Sequence, residues 1–383
     1  MRIGIDVTPL PPNPVGAGNY IIQLVRALAS VETEHEFVVF AQQSGRELID
    51  IPAKPNVKWV ILSDKSPGQR LLWEQIALPR LVRRAGVELL HSLHYTRPLV
   101  LPCASVVTFH DLTFFLLPDL HTRAKRVFFP MAMRFSALTA DALLSVSEST
   151  RQDAIRLLHI PAEKIFTTPL GVNEEFHIIS DQAILESCRL RYKLPEKFIL
   201  FVGLLEPRKN LPLLLKAYAQ LLKIEDAPRL VIVGRPGWGY KEILQQIDVL
   251  NLKDKVHFTG YVPAQDMPIV YNLAQVFVYP SIYEGFGLPP MEAMACGTPV
   301  ITTDVSALRD HVGEAGILIP SQDEEALVQA MRKILLDPDL RKLLSLRGRQ
   351  QVANFTWKRT ALETLKVYQY VAPKRASTSP SAS

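Results

Sequence analysis

Residues 279–304 read YPSIYEGFGLPPMEAMACGTPVITTD, and this stretch decides the fold. It opens at the end of a short apolar run, Ala274 to Tyr279, rich in β-formers, which reads as a buried strand. A loop bearing Gly285 and Gly287 follows. Pro289 and Pro290 suit the first turn of a helix, where a missing N–H costs nothing. Gly297 ends that helix, and Pro299 to Thr303 is a second strand. Strand, glycine loop, helix, strand is the repeating unit of a parallel α/β sheet.

The loop has the chemistry of an anion site. Glycines let the backbone approach a ligand closely. The N–H groups from Phe286 to Met291 lie at a helix start, where the dipole favours a phosphate. Two carboxylates bracket this site, Glu284 and Glu292, eight residues apart. A carboxylate is repelled by phosphate but accepts hydrogen bonds from hydroxyls, so a ribose diol suits Glu292 and a sugar suits Glu284. Alone, Glu292 reads as an acid placed to suit the helix dipole. With Glu284, both glycines and the double proline, a nucleotide sugar is the ligand that fits.

The same residues resemble the Glu-x7-Glu motif of the retaining GT-B glycosyltransferases of family four. Gly-Phe-Gly-Leu-Pro lies between the two glutamates, and Ala293-Met-Ala-Cys-Gly-Thr-Pro-Val300 fits the same family. The resemblance spans nearly the whole chain. It implies transfer of a sugar from a nucleoside diphosphate sugar to an acceptor hydroxyl, with retention of configuration.

The rest of the chain alternates in the same way. A first strand at residues 2–7 leads into a Pro-rich loop, Gly16-Ala17-Gly18 and a helix from Asn19 to Ser30. Further strands are expected at 37–40, 57–62, 89–91, 104–109, 143–147 and 164–168. Pro169-Leu-Gly-Val-Asn173 breaks the pattern. Alternation restarts with strands at 198–203, 230–234, 256–259, 274–279, 299–303 and 316–319. The expected architecture is therefore α/β, two doubly wound domains at 1–170 and 171–355 with a cleft between facing strand ends. The resemblance implies that this is the GT-B fold, and that a final helix at 356–371, near Trp357, crosses back to the first domain. Residues 372–383 are Ser, Pro and Ala with no apolar anchor, and read as a disordered tail.

Arg208 and Lys209 follow the strand ending at Gly203, as phosphate-binding cations should. The segment resembles the family's Gly-x5-Lys pattern, with one departure. Many members carry arginine directly after the glycine, where this chain has Leu204. His110 ends a strong apolar strand and reads equally as a core histidine or a functional one; the resemblance implies contact with the donor sugar. It also implies that Gly16 and Gly18 face the donor phosphates and the acceptor across the cleft. Gly234-Arg235 and Tyr261 are placed at the base, and the Phe286, Gly287 and Leu288 amides on the diphosphate. His91 and His94 read as a strand end and loop, acceptor-side or structural. The catalytic candidates are His110, Glu284 and Lys209. Asp337-Pro338-Asp339 looks like a metal-binding Asp-x-Asp but lies between helices, and reads as a turn and helix cap. No metal and no other cofactor is expected.

Composition bounds the rest. The chain has 383 residues, 48% of them apolar, enough for two ordinary domains with full cores. Three scattered cysteines, Cys103, Cys188 and Cys296, make no metal spacing and suggest a reducing compartment. A net charge of +5 does not demand nucleic acid, and none is expected as a partner. Met1 to Val7 turns polar too early for a signal peptide, and no apolar stretch reaches the ~20 residues that span a bilayer. The expected location is cytoplasmic, with possible peripheral attachment at the inner face of the membrane. Residues 121–137 are basic and apolar with no acid, and fit either a membrane-surface helix or a helix packed on the sheet and kinked at Pro130. The expected acceptor is a saccharide or a lipid-linked saccharide. Motif composition resembles mannosyl- and rhamnosyl-transferring members, which favours GDP-mannose. Two other readings stand beside transfer: a nucleotide-sugar epimerase of the same fold and a non-catalytic nucleotide-binding protein.

Overall fold

A computed structural model describes residues 1–376 of the chain. It divides into two compact units, Met1–Gly171 joined by the segment from Thr356 onward, and Val172–Phe355.

The first unit is built on seven strands: β1 (Arg2–Asp6), β2 (Glu36–Gln42), β3 (Val57–Leu62), β4 (Leu89–Ser92), β5 (Ala104–Phe109), β6 (Ala142–Ser145) and β7 (Ile165–Thr167). Their order is β3-β2-β1-β4-β5-β6-β7, and every pairing is parallel. The second unit holds β8 (Phe198–Val202), β9 (Arg229–Val233), β10 (Val256–Gly260), β11 (Val276–Tyr279), β12 (Val300–Thr303) and β13 (Ile317–Ile319). Their order is β10-β9-β8-β11-β12-β13, again parallel throughout. Helices cover both faces of such sheets, so the central strands are apolar along their whole length. β5 and β11 are buried at every position.

Each sheet has one place where the strand order reverses, between β1 and β4 in the first unit and between β8 and β11 in the second. The connecting helices leave such a point in opposite directions, which opens a crevice at the carboxyl ends of the strands.

The final helix, Trp357–Ala376, belongs to the first unit. Thr360 donates to the Pro169 carbonyl at 2.7 Å. Gly171 lies so close to the helix start that a Cβ there would come within 2.1 Å of the Trp357 nitrogen. Further along, a buried polar chain ties the helix to the sheet: the Tyr368 hydroxyl is 2.6 Å from His91 Nδ1, His91 Nε2 is 2.8 Å from Thr108 Oγ1, and Thr108 is 3.0 Å from the Tyr20 hydroxyl. Burial, assisted by His110, pushes His91 down to about 3, so its ring is neutral at all ordinary pH. His91 is thus structural. The helix runs five residues into the segment read as a tail; residues 377–383 of that segment lie outside the described residues.

Tyr368→Phe removes one end of this chain and leaves His91 Nδ1 buried without its partner. The expected cost is about 1–3 kcal/mol, the price of an unsatisfied buried group. Thermal melting should drop by roughly 2–4 °C per kcal/mol. An unchanged melting temperature would mean that the hydroxyl does not hold the helix.

Candidate functional site

The second unit's crevice lies at the ends of β8 and β11. After β8 the chain makes a tight passage. A Cβ on Gly234, at the end of β9, would fall 1.8 Å from the Gly203 carbonyl oxygen, and Gly234 has φ 153. Only glycine fits there. The loop then forms a short 3₁₀ turn, Pro207–Lys209, which delivers both cations to the crevice.

After β11 the chain supplies the counter-charge. Glu284 Oε1 accepts from Lys209 Nζ at 2.6 Å, from Ser281 Oγ at 2.7 Å and from the Tyr279 hydroxyl at 2.9 Å. Glu284 Oε2 pairs with Arg208 at 2.7 Å. Arg208 also donates to the Tyr283 carbonyl at 2.9 Å and pairs with Glu206 at 3.0 Å. Burial alone would raise the Glu284 carboxyl, but Arg208 and Lys209 outweigh it and hold the group at about 2. Burial and the neighbouring Arg208 lower Lys209, and Glu284 opposes them. Burial and Glu284 raise Tyr279 well above its usual range, so its hydroxyl stays a donor. The site therefore contains two fixed cations on one fixed anion.

The sequence places a sugar at Glu284; in the structure both of its oxygens are engaged by neighbouring side chains and the residue is 7% exposed. What it holds in the structure is Lys209 and Arg208. The expected row of amides is also thinned. The helix Leu288–Ala295 does begin at Gly287, but Pro289 and Pro290 bring no N–H, leaving Phe286, Gly287, Leu288 and Met291. Gly287 has φ 88, and a Cβ there would come within 2.6 Å of Leu308.

Glu292 sits on the same helix in a different environment. It accepts from the Tyr271 hydroxyl at 3.2 Å. Burial, only partly countered by Tyr271, raises its carboxyl to about 7. At neutral pH it therefore lies between acid and carboxylate. On the other side of the loop, Arg235 stacks over the exposed Tyr261 ring at 4.0 Å, next to Gly234.

His110, Gly16 and Gly18 belong to the first unit. Gly16 has φ 50 and opens the helix Ala17–Ser30, where Gly18 packs in the first turn. His110 Nε2 is 2.8 Å from the Leu93 carbonyl, so Nε2 carries the proton and Nδ1 is left as an acceptor. Burial lowers its pKa, against the pull of Leu93 and Asp111. Its ring meets Tyr20 edge-on at 4.9 Å and lies 5.7 Å from His94. At the same strand ends Glu74, fully buried, pairs with Arg70 at 2.7 Å and accepts from Thr96 at 3.1 Å.

Tyr279, Ser281, Glu206, Tyr271 and Glu74 escaped the sequence reading. Hydroxyls at the end of a buried strand were the available signal for the first two. Asp337 caps the helix Pro338–Val352, accepting from Asp339 and Leu340 at 3.0 and 2.9 Å, as a turn should. Among the described residues no group of three or more His, Cys, Asp or Glu is arranged to hold a metal ion.

The chain is similar to known proteins along most of its length. The "Glycosyl transferases group 1" family matches residues 189–351, and "Glycosyltransferase Family 4" matches residues 14–176. The chain is 32% identical to O-antigen chain mannosyltransferase B of Escherichia coli, over 96% of this chain and 100% of that protein. It is 28% identical to O-antigen chain mannosyltransferase RfbU of Salmonella typhimurium, over 88% and 91% of the two chains. Among solved structures, sucrose-phosphate synthase of Thermosynechococcus elongatus superposes with a TM-score of 0.76 at 24% identity, over 97% of this chain and 98% of that one. Anabaena HepE in complex with UDP and glucose superposes with a TM-score of 0.76 at 18% identity, over 97% and 100%. The fold is the GT-B fold.

Replacing Glu284 by glutamine strands two cations in a nearly dry site. The expected loss is about 3–5 kcal/mol, as for other broken buried pairs. Melting should fall by on the order of 10 °C. The pH dependence has a fixed sign. Because the folded carboxyl lies near 2 against an ordinary 4.5, its stabilisation is complete above 4.5 and fades as pH falls towards 2. Wild type and Glu284→Gln should therefore differ by a constant amount at neutral pH and converge in acid, as read by thermal melts. Equal stability at pH 7 would contradict the ion cluster.

Proposed function

This chain belongs to the group 1, family 4 glycosyltransferases, and from that premise we propose that it transfers mannose from GDP-mannose to a saccharide hydroxyl, with retention of configuration, in building a polysaccharide of the O-antigen kind. The observation that carries the chemistry is the Lys209–Arg208 pair fixed by Glu284 at the β8/β11 reversal. The names of the two mannosyltransferase relatives support the sugar and the polysaccharide.

In this reading Lys209, Arg208 and the Phe286, Gly287 and Leu288 amides take the charge that grows on the leaving diphosphate. Donors that are already oriented need no reorganisation as that charge develops. Glu284 acts by fixing both cations close to the donor sugar. Glu292 accepts from the ribose hydroxyls, while Gly234 and Tyr261 border the base. His110 is the catalytic candidate of the first unit, which also carries the Gly16–Gly18 loop. No metal takes part in this reading: the donors of Lys209 and Arg208 and the amides at the helix start, already fixed in direction, meet the charge on the diphosphate.

Transfer is tested by incubating the chain with GDP-mannose and a mannose-terminated oligosaccharide in EDTA. GDP should be released only when the acceptor is present, which separates transfer from epimerisation. Lys209→Ala should lower kcat/KM by the equivalent of about 2–4 kcal/mol. An unchanged kcat/KM would remove Lys209 from the mechanism; activity lost in EDTA and restored by Mg²⁺ or Mn²⁺ would require a metal. A melting screen with GDP, UDP, ADP and dTDP identifies the base, since a bound ligand stabilises the fold by mass action.

Glu292 gives the donor step a pH dependence. Ribose hydroxyls that donate to it favour its ionised form, so binding must expel a proton below about 7. Donor KM should be flat above that pH and rise as pH falls below it, approaching roughly tenfold per unit. Glu292→Gln should give a higher and pH-independent KM. A wild-type KM that is flat from acid to neutral pH argues against ribose at Glu292.

We also propose that the first unit rests on an anionic membrane surface. The helix Arg123–Thr139 runs through Pro130 without breaking and uses both of its faces. Met133, Ser136 and Ala137 face the core, and Phe129 packs against it. The opposite face leaves Val127 65%, Met131 65% and Leu138 73% exposed, beside a 40% exposed Phe128. Arg123 and Arg134 flank this stripe and Lys125 is exposed. Arg126 is taken up by Asp119. Such a face gains from burial and from anionic headgroups together. No helix among the described residues is long and apolar enough to cross a membrane. The chain should sediment with anionic vesicles at low salt and leave them at high salt, whereas Val127→Asp/Met131→Asp should stay in the supernatant. Wild type that ignores anionic vesicles at low salt leaves the stripe without this partner.

A further inference from the structure

The helix Ser306–Val312 follows β12 and grips the 284–287 loop at three successive points. At its start Ser306 adopts φ 44, and its Oγ accepts from the Glu284 N–H at 2.9 Å. Two residues on, Leu308 lies against Gly287, closing the space that a Cβ would need. Near its end, His311 Nδ1 is 2.8 Å from the Phe286 carbonyl oxygen. The His311 ring is 5% exposed, 4.2 Å from the Phe286 ring and 5.3 Å from the Phe355 ring.

A carbonyl can only accept, so Nδ1 bears the proton and His311 donates. Burial lowers the ring to about 4 against the pull of that carbonyl, which keeps this neutral form in place through the physiological range. The peptide between Phe286 and Gly287 is trans. In a planar trans peptide the C=O of one residue and the N–H of the next point in opposite directions. Drawing the Phe286 carbonyl onto His311 therefore turns the Gly287 N–H away from His311.

We propose that His311 is a positioning residue that aims the Gly287 amide at the diphosphate of the donor. The inference rests on the reading of this loop as the diphosphate site, and adds a residue 25 positions downstream to its machinery. It acts through one hydrogen bond and touches no substrate. Ser306 and Leu308 fix the neighbouring residues, so the bond sets the orientation of one peptide plane in a loop already held on both sides.

The test is calorimetric titration of the full chain with GDP. It compares wild type, Lys209→Ala, His311→Phe, His311→Leu and His311→Asn. Phenylalanine keeps a ring and leucine keeps bulk, but neither donates; asparagine places an amide N–H near the position of Nδ1. The Phe and Leu variants should bind GDP roughly tenfold more weakly, the effect of about one hydrogen bond. Asparagine should recover most of the loss. In transfer assays the loss should fall on donor KM and leave acceptor KM unchanged. GDP affinity unchanged in His311→Phe and His311→Leu, with Lys209→Ala weakened, overturns the role of His311 and leaves the diphosphate reading standing. Asparagine as weak as leucine overturns it too, since packing and not the hydrogen bond would be at work. Failure of both donorless variants to fold would make His311 a core residue only. If wild type binds none of GDP, UDP, ADP or dTDP, the diphosphate reading falls and takes this inference with it.

Discussion

Two cations and one carboxylate share a nearly dry pocket at the ends of β8 and β11, and the loops of the second unit depend on that arrangement. Arg208 and Lys209 are adjacent in sequence; burial and Arg208 lower Lys209, and Glu284 opposes them. Glu284 pairs with both cations, and Tyr279 and Ser281 hold Glu284. With Glu206 counted, the four side chains carry two positive and two negative charges, and the group is neutral. Its attraction for a distant phosphate is therefore modest. What it offers is donors fixed in direction before a ligand arrives, which matters more as charge builds in a transition state than for ground-state binding.

The fold creates this pocket by its strand order. Lys209 and Glu284 are 75 positions apart, yet β8 and β11 are neighbours, so the loops that follow them emerge side by side. The connecting helices diverge there, and the crevice is left open to a ligand. The floor is rigid. Phe277 and Tyr279 lie in β11 with rings 5.7 Å apart, Tyr271 meets Phe277 edge-on at 5.5 Å, and the Gly203–Gly234 approach leaves no room for movement. The same scaffold joins the two glutamates: Tyr279 at one end of the aromatic row bonds Glu284, and Tyr271 at the other bonds Glu292.

The central strands were legible because they are buried along their length, as β5 and β11 are, and the partly exposed edge strands β3 and β10 because β-formers dominate them; the ends shifted by a residue or two where polar caps intrude. The double proline marked the helix at Leu288. The residue types of the site were legible as well, since Glu284, Arg208 and Lys209 all follow strand ends. Their mutual engagement was not, because it depends on which strands become neighbours. His311 lies in Ser-Ala-Leu-Arg-Asp-His-Val, which reads as an ordinary short amphipathic helix. Its purpose appears only when the helix folds back against the loop. Arg126, counted as a basic side chain of the helix Arg123–Thr139, turns out to be occupied by Asp119, and the exposed Val127, Met131 and Leu138 carry more of that face than the charges do.

The two glutamates of the opening motif show why spacing alone gives a site but not its electrostatics. They are eight positions apart and frame one loop, yet one is held at about 2 and the other raised to about 7. Desolvation pushes each upward, Glu284 being buried and Glu292 partly buried; the difference lies in their partners. Glu284 meets two cations, and Glu292 meets one phenol. Pairs of carboxylates whose environments pull them apart in this way are suited to different tasks. Glu284 stays charged through any physiological change and can serve as a fixed strut for cations. Glu292, raised to about 7, changes charge near neutral pH. One motif thus carries both a permanent charge and a titratable one.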